Sequence, residues 1–158
     1  HFIYDLIPNT FTAIFFPVNE SIWEHMKLLF DSLLLAGIFE VGCYQYFHIS
    51  YHNLGIITWL GAFLSISLYL IIYLPFYYKF GENMILNLTV LFITIALINL
   101  FEYYLITQIN PWFIDHFSPI LVICTYLVFA YLTYYPIHTQ LFFDTNEEKY
   151  GLSNYQIK

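Results

Sequence analysis

Apolar residues in this chain neither alternate nor keep to narrow stripes; they run on, in four long stretches. These cover residues 22–47, 54–78, 84–109 and 118–135, and residues 113–117 can extend the last. A helix that spans a bilayer needs roughly 20 mostly apolar residues, because the hydrocarbon core leaves no water to satisfy an irregular backbone. The pattern therefore predicts an all-α polytopic transmembrane helix bundle: a single domain over residues 1–158 with four spans and a polar C-terminal tail, 136–158. The second stretch carries no charge and the fourth none; the third has Glu102 alone. The first is different, being interrupted by Glu24, Lys27, Asp31 and Glu40.

Polar residues and helix breakers mark the connectors. Pro8-Asn9-Thr10 and Pro17-Val18-Asn19 precede the first span, His52-Asn53 and Gly55 the second, residues 79–83 the third and Asn110-Pro111 the fourth. Asn19 or Ser21 can cap the first span, since a side-chain oxygen accepts from the free amides at a helix start. Glu24, three residues after Ser21, fits a capping box. Tyrosines and tryptophans gather near the span ends, where amphipathic rings prefer the interface. With four alternating spans, residues 1–21, 79–83 and 136–158 face one side, and 48–53 and 110–117 the other. The chain has four basic residues: Lys79, Lys149 and Lys158 lie on the first side, and Lys27 just inside it. The positive-inside bias predicts a multi-pass cell-membrane protein with that side, tail included, in the cytoplasm. The chain starts at His1-Phe2-Ile3-Tyr4 without an initiator methionine, which is the pattern expected if a fifth, earlier span precedes it.

Composition agrees with the pattern. Hydrophobic residues make up 60% and charged residues 9% of the 158, and mean hydropathy is +0.67. A soluble domain carries about 25% charge, so the partner this surface calls for is a lipid bilayer. A formal net charge of −7 with no arginine leaves no basic footprint, which excludes nucleic acid as a partner. Cys43 and Cys124 both sit in apolar runs and read as packing residues rather than a disulfide framework.

Candidate chemistry concentrates at the start of the first span. At roughly 100° per residue, Glu20, Glu24, Lys27 and Asp31 fall on one face, with Ser21 and His25 beside them. Three carboxylates around one lysine pair at i,i+3 and i,i+4, Asp31 with Lys27 among them, and leave a negative surplus that needs a proton, a cation, water or a donor. The plain alternative is a solvated first turn with ordinary ion pairs. Glu102 is deep in the third span, with Asn99 placed to donate to it and Asn87 and Thr94 on the same broad stripe. Helix-to-helix hydrogen bonding is its plain reading and a polar path its functional one. Gly61, Ser65, Ala36 and Gly37 read as close-packing positions. His48 and His52 would face one ion if the first helix ran through both, and His25 with Glu24 and His138 is a rival set. Neither set closes a ligand shell, so no metal is expected, and no cofactor is specified. The candidate ligand-binding residues are thus Asn19, Glu20, Glu24, His25, Lys27, Asp31 and Glu102.

The segment P-V-N-E-S-I-W-E-H-M-K-L-L-F, preceded by H-F-I-Y-D and followed by Y-Y-P, L-F-F-D and K-Y-G, resembles an uncharacterised family of small bacterial multi-pass membrane proteins. In that family N-E-S-x-W-E-H-x-K and a terminal Y-P…F-x-D…Y-G recur. The resemblance spans nearly the whole chain and implies that Asn19, Glu20, Trp23, Glu24, His25, Lys27, Tyr135, Pro136, Asp144 and Tyr150 are motif positions. It implies no activity. N-E-S-I-W-E-H is also faintly similar to a segment of the progestin and adiponectin receptor family, with a different spacing and in a chain too short for their seven helices. Three function classes follow: a small-molecule or ion binding or transport component with a pocket near Glu24, His25 and Lys27; a membrane-embedded metal-dependent hydrolase; and a structural or accessory subunit of a membrane complex.

Overall fold

The computed structural model describes residues 2–81, 83–108, 110–146 and 148–152, the side chain of Gln108 excepted. His1, Glu82, Ile109, Glu147 and residues 153–158, Lys158 among them, lie outside the described residues. The described residues form four long helices: α3 (Ile22–Tyr46), α4 (Leu54–Phe80), α5 (Met84–Gln108) and α6 (Ser118–Tyr134). Two short helices, α1 (Phe2–Leu6) and α2 (Thr10–Phe15), come first; a 3-10 turn, Phe113–Phe117, leads into α6. The tail forms a small antiparallel hairpin of β1 (Phe143–Asp144) and β2 (Lys149–Tyr150).

Among the described residues three segments are long and apolar enough to cross a membrane: Leu54–Phe80, Met84–Thr107 and Phe113–Tyr134. Large apolar side chains along them, such as Ile71, Ile85, Phe92, Leu100, Ile123 and Leu127, are exposed. An apolar surface of that extent is what lipid covers and water does not tolerate. α3 has the length of a span but not the composition, because Glu24, Lys27, Asp31 and Glu40 lie along it.

The chain divides into two compact units, His1–Leu28 with Ile120–Lys158, and Leu29–Pro119. In the first, Asn9 caps α2 through a capping box with Thr12. Ala13, Val18, Ile22, Met26, Phe129 and Phe142 form its core. The polar tail is tied into this unit: Phe142 and Asp144 are buried, and the amide of Trp23 donates to the carbonyl of Leu141 at 2.8 Å. Trp23 stacks on Phe142 with ring centres 4.8 Å apart. Gly151 closes this packing with φ +49°, and a Cβ there would come within 2.7 Å of the Thr133 carbonyl oxygen.

In the second unit the buried positions of α4 (Ile57, Thr58, Gly61, Ala62, Ser65, Tyr69, Tyr73) recur at helical spacing. Those of α5 do the same at Asn87, Val90, Leu91, Thr94, Ile98, Glu102 and Ile106. Three cross-links fix the antiparallel register of this pair. Tyr69 donates to Asn87 at 2.8 Å, the His52 amide to the Ile106 carbonyl at 3.3 Å, and the Glu102 carboxyl sits against Gly61. Asn53, left-handed at φ 58°, does not cap α4 with its side chain. It reaches instead to the Asn110 carbonyl at 2.8 Å and accepts from the Trp112 amide. Asp115 takes over the capping, accepting from the Ile56 amide at 2.7 Å.

Candidate functional site

The first turns of α3 bring most of the sequence-chosen residues together in the first unit. Glu24 and Lys27 are 1% and 0% exposed, and Lys27 Nζ lies 2.7 Å from Glu24 Oε2. Lys27 also donates to the Ala13 carbonyl at 3.0 Å, to the Phe16 carbonyl at 3.4 Å and to Thr133 Oγ1 at 3.1 Å. Thr133 passes its own proton toward Glu24 Oε1 at 3.5 Å. Glu24 accepts from the Val18 amide at 3.0 Å. Half of the expected capping box forms, the Glu24 amide reaching Ser21 Oγ at 3.4 Å. The other half is displaced because Asn19 Oδ1 takes the Ser21 amide at 2.9 Å, freeing the Glu24 carboxylate for Lys27 and Val18.

Around this pair the two motif segments meet. Asn19 donates to the Gly151 carbonyl at 3.3 Å. Asp144 accepts from the amides of Glu20 and Asn146, each at 2.8 Å. His25 is half-buried, with Nδ1 2.9 Å from the Ser21 carbonyl oxygen. Asp31 is half-buried and belongs to the second unit. Thr133, Ala13 and Phe16 escaped the sequence reading. Thr133 left a signal, a hydroxyl inside an apolar run two residues ahead of Tyr135-Pro136, but the backbone acceptors left none.

The second unit holds a different kind of site. Glu102 is 0% exposed, and neither of its carboxylate oxygens has a hydrogen-bond partner. Asn99 does not donate to it as the sequence spacing predicts, and Asn99 Oδ1 is itself without a partner. One turn of separation on a helix allows such a bond only when both side chains lean the same way, and here Glu102 turns to Gly61 on α4. Gly61 is more than a close-packing position: its missing Cβ is the space the Glu102 carboxyl occupies. The buried hydroxyls of Thr58 and Thr94 and Glu40 Oε2 also have no partner.

The histidine sets do not assemble. α3 ends at Tyr46, before His48, whose φ of 53° leaves the helical path. The i,i+4 geometry that would aim His48 and His52 at one ion is therefore lost, and both are exposed. His138 is exposed and packs its ring on Tyr150, with centres 4.7 Å apart. Among the described residues no three His, Cys, Asp or Glu side chains come together as a metal cage.

A mostly helical chain with three described segments that by length and composition could cross a membrane, and with a buried carboxyl that has no hydrogen-bond partner, fits the class of helical membrane proteins. The family described as "Family of unknown function (DUF6512)" matches residues 1–152, and the chain belongs to it. No curated protein and no solved structure matches the chain.

Proposed function

We propose that this chain is a small-molecule or ion binding or transport component of a bacterial cell membrane, and that its intramembrane polar site centres on Glu102. One observation carries the reading: a carboxyl group with both oxygens buried and unpartnered inside an apolar helix, less than two turns from its end. An acidic residue costs about 2.5–3.5 kcal/mol at the centre of a span on insertion scales and less toward its end, so one kept fully buried there without an internal donor calls for a partner from outside the chain. Glu24 and Lys27, by contrast, are met by the protein's own groups. That arrangement supports a role in holding the N-terminal segment, α6 and the tail together, beside a site located elsewhere. The accessory-subunit reading draws its support from the same closed network. The hydrolase reading has no comparable support, because the histidines stand apart.

Purified full-length protein in detergent should gain thermal stability from at least one compound in a panel of inorganic ions, amines, amino acids and sugars. Binding to the folded state alone raises stability by about 2.7 kcal/mol at a hundred times the Kd. Glu102→Gln should remove that gain. A wild-type chain that responds to nothing, together with a Glu102→Gln chain that melts higher in plain buffer, would give the place to the accessory reading.

A further inference from the structure

The second unit gathers more unpartnered oxygen around Glu102 than a single stranded side chain would. Two helix registers define the place. Gly37 of α3 faces Thr58 of α4, so closely that a Cβ on Gly37 would lie 2.6 Å from Thr58 Cγ2. Tyr44, two turns further along α3, stacks on Tyr51 with ring centres 5.4 Å apart. Glu40 stands between those two contacts. On the other flank Gly61, one turn after Thr58, receives the Glu102 carboxyl. Glu40 and the Glu102 carboxyl therefore lie within about one helical turn of Thr58, one on either side of it, toward the end that carries residues 48–53.

Four oxygen atoms here lack a protein partner: Glu40 Oε2, Thr58 Oγ1, and Oε1 and Oε2 of Glu102. Thr58 is 5% and Glu102 0% exposed. The only described lysine of the unit, Lys79, closes α4. At 1.5 Å per residue that places it about 30 Å from Thr58 along the helix. Two carboxylates and a hydroxyl, with no imidazole or thiolate, are the donor set of hard cations rather than of zinc or copper.

We infer that Glu40, Thr58 and Glu102 form an oxygen-lined site for one hard inorganic cation between α3, α4 and α5. The inference rests on the binding reading above and narrows its ligand class. A divalent ion neutralises both carboxylates; a monovalent ion does so together with one proton. The Gly61 notch lets the Glu102 carboxyl reach the α4 side of the site, which a side chain at position 61 would block.

The test is a thermal-unfolding titration of the purified full chain in detergent. It starts from N-methylglucamine chloride with chelator and adds Na⁺, Li⁺, K⁺, Ca²⁺ or Mg²⁺ at matched ionic strength. The expected result is a saturable rise of several degrees with one of these ions, absent in Glu102→Gln and in Glu40→Gln. Thr58→Val should raise the concentration needed, and His48→Ala, at an exposed position, should leave the titration unchanged. Should Glu102→Gln fail to fold, the wild-type titration and Thr58→Val still decide the matter. Equal response to every ion and to N-methylglucamine overturns the inference, as does a saturable shift that survives Glu102→Gln. A response to an organic amine alone overturns the cation and leaves the binding reading standing; no response to any compound overturns both.

Discussion

Lys27 is the residue on which the first unit turns, since each of its three N–H donors has an acceptor and one acceptor is a carboxylate. Removing a single partner from a buried ion pair typically costs about 3–5 kcal/mol, because the other charge is left without compensation. Lys27→Met should therefore lower the unfolding midpoint and the folded yield sharply. It should also expose the segment before α3 to protease, because the Ala13 and Phe16 carbonyls lose their donor as well. Adding Glu24→Gln removes the stranded charge at nearly constant shape and should recover part of the loss. Midpoints of the two single variants and the double variant give the coupling directly. Simple additivity would mean that the two side chains do not share a site, whatever their separation.

The contact between α3 and α4 turns on a glycine. At Gly37 a Cβ would meet Thr58 Cγ2 at 2.6 Å, Oγ1 at 2.9 Å and Cβ at 3.3 Å. Threonine is too short and too stiff at χ1 to swing clear. Gly37→Ala should cost about 1–3 kcal/mol, the usual range for overpacking. Thr58→Ala in the same chain should restore most of it, and alone should be mild, since the Thr58 hydroxyl has no partner to lose. Unfolding curves in detergent for the three variants check this; a Gly37→Ala chain as stable as wild type would mean that the helices separate at little cost. The long helices were legible because α4, α5 and α6 are lipid-length apolar runs and α3 is a run of similar length interrupted by four charges: α3 to α6 begin where the sequence pattern starts them and end within two residues of where it stops them. Glu102 was legible as the lone charge in its run. Its surroundings were not, because Thr58 and Gly61 look like any small residues in an apolar stretch until the register of α4 on α5 is known. The short α1 and α2 and the tail hairpin have no periodicity to read. The hairpin is held by partners more than a hundred residues away, such as Asp144 with the Glu20 amide. His48 and His52 show the opposite case, their spacing being helical and the backbone between them not.

Counting crossings brings α3 back into question at the level of the whole molecule. With α4, α5 and α6 as the only crossings, residues 1–53 would share a side opposite the tail. Yet residues 19–23 bond to residues 141–151 within the first unit, and the 48–53 loop bonds to residues 110–112 within the second. The start of α3 thus keeps company with the segment after α6, and the end of α3 leads into the loop that meets the segment before α6. If α6 crosses, α3 must cross with it, and its charged first turns are tolerable because Glu24 and Lys27 arrive already paired. Four crossings are the proposal. Labelling can decide it in a background carrying Cys43→Ser and Cys124→Ser, which removes both native thiols. Single cysteines replacing Asn9, Asn83 and Asn146 should react with an impermeant maleimide from one side of a sealed vesicle, and one replacing the exposed His52 only from the other. Labelling at positions 9 and 52 from the same side would leave α3 lying along the membrane rather than through it. The paired charges of Glu24 and Lys27 would then face the interface, and the cluster around Glu40 would have to be built at a surface instead of within a span.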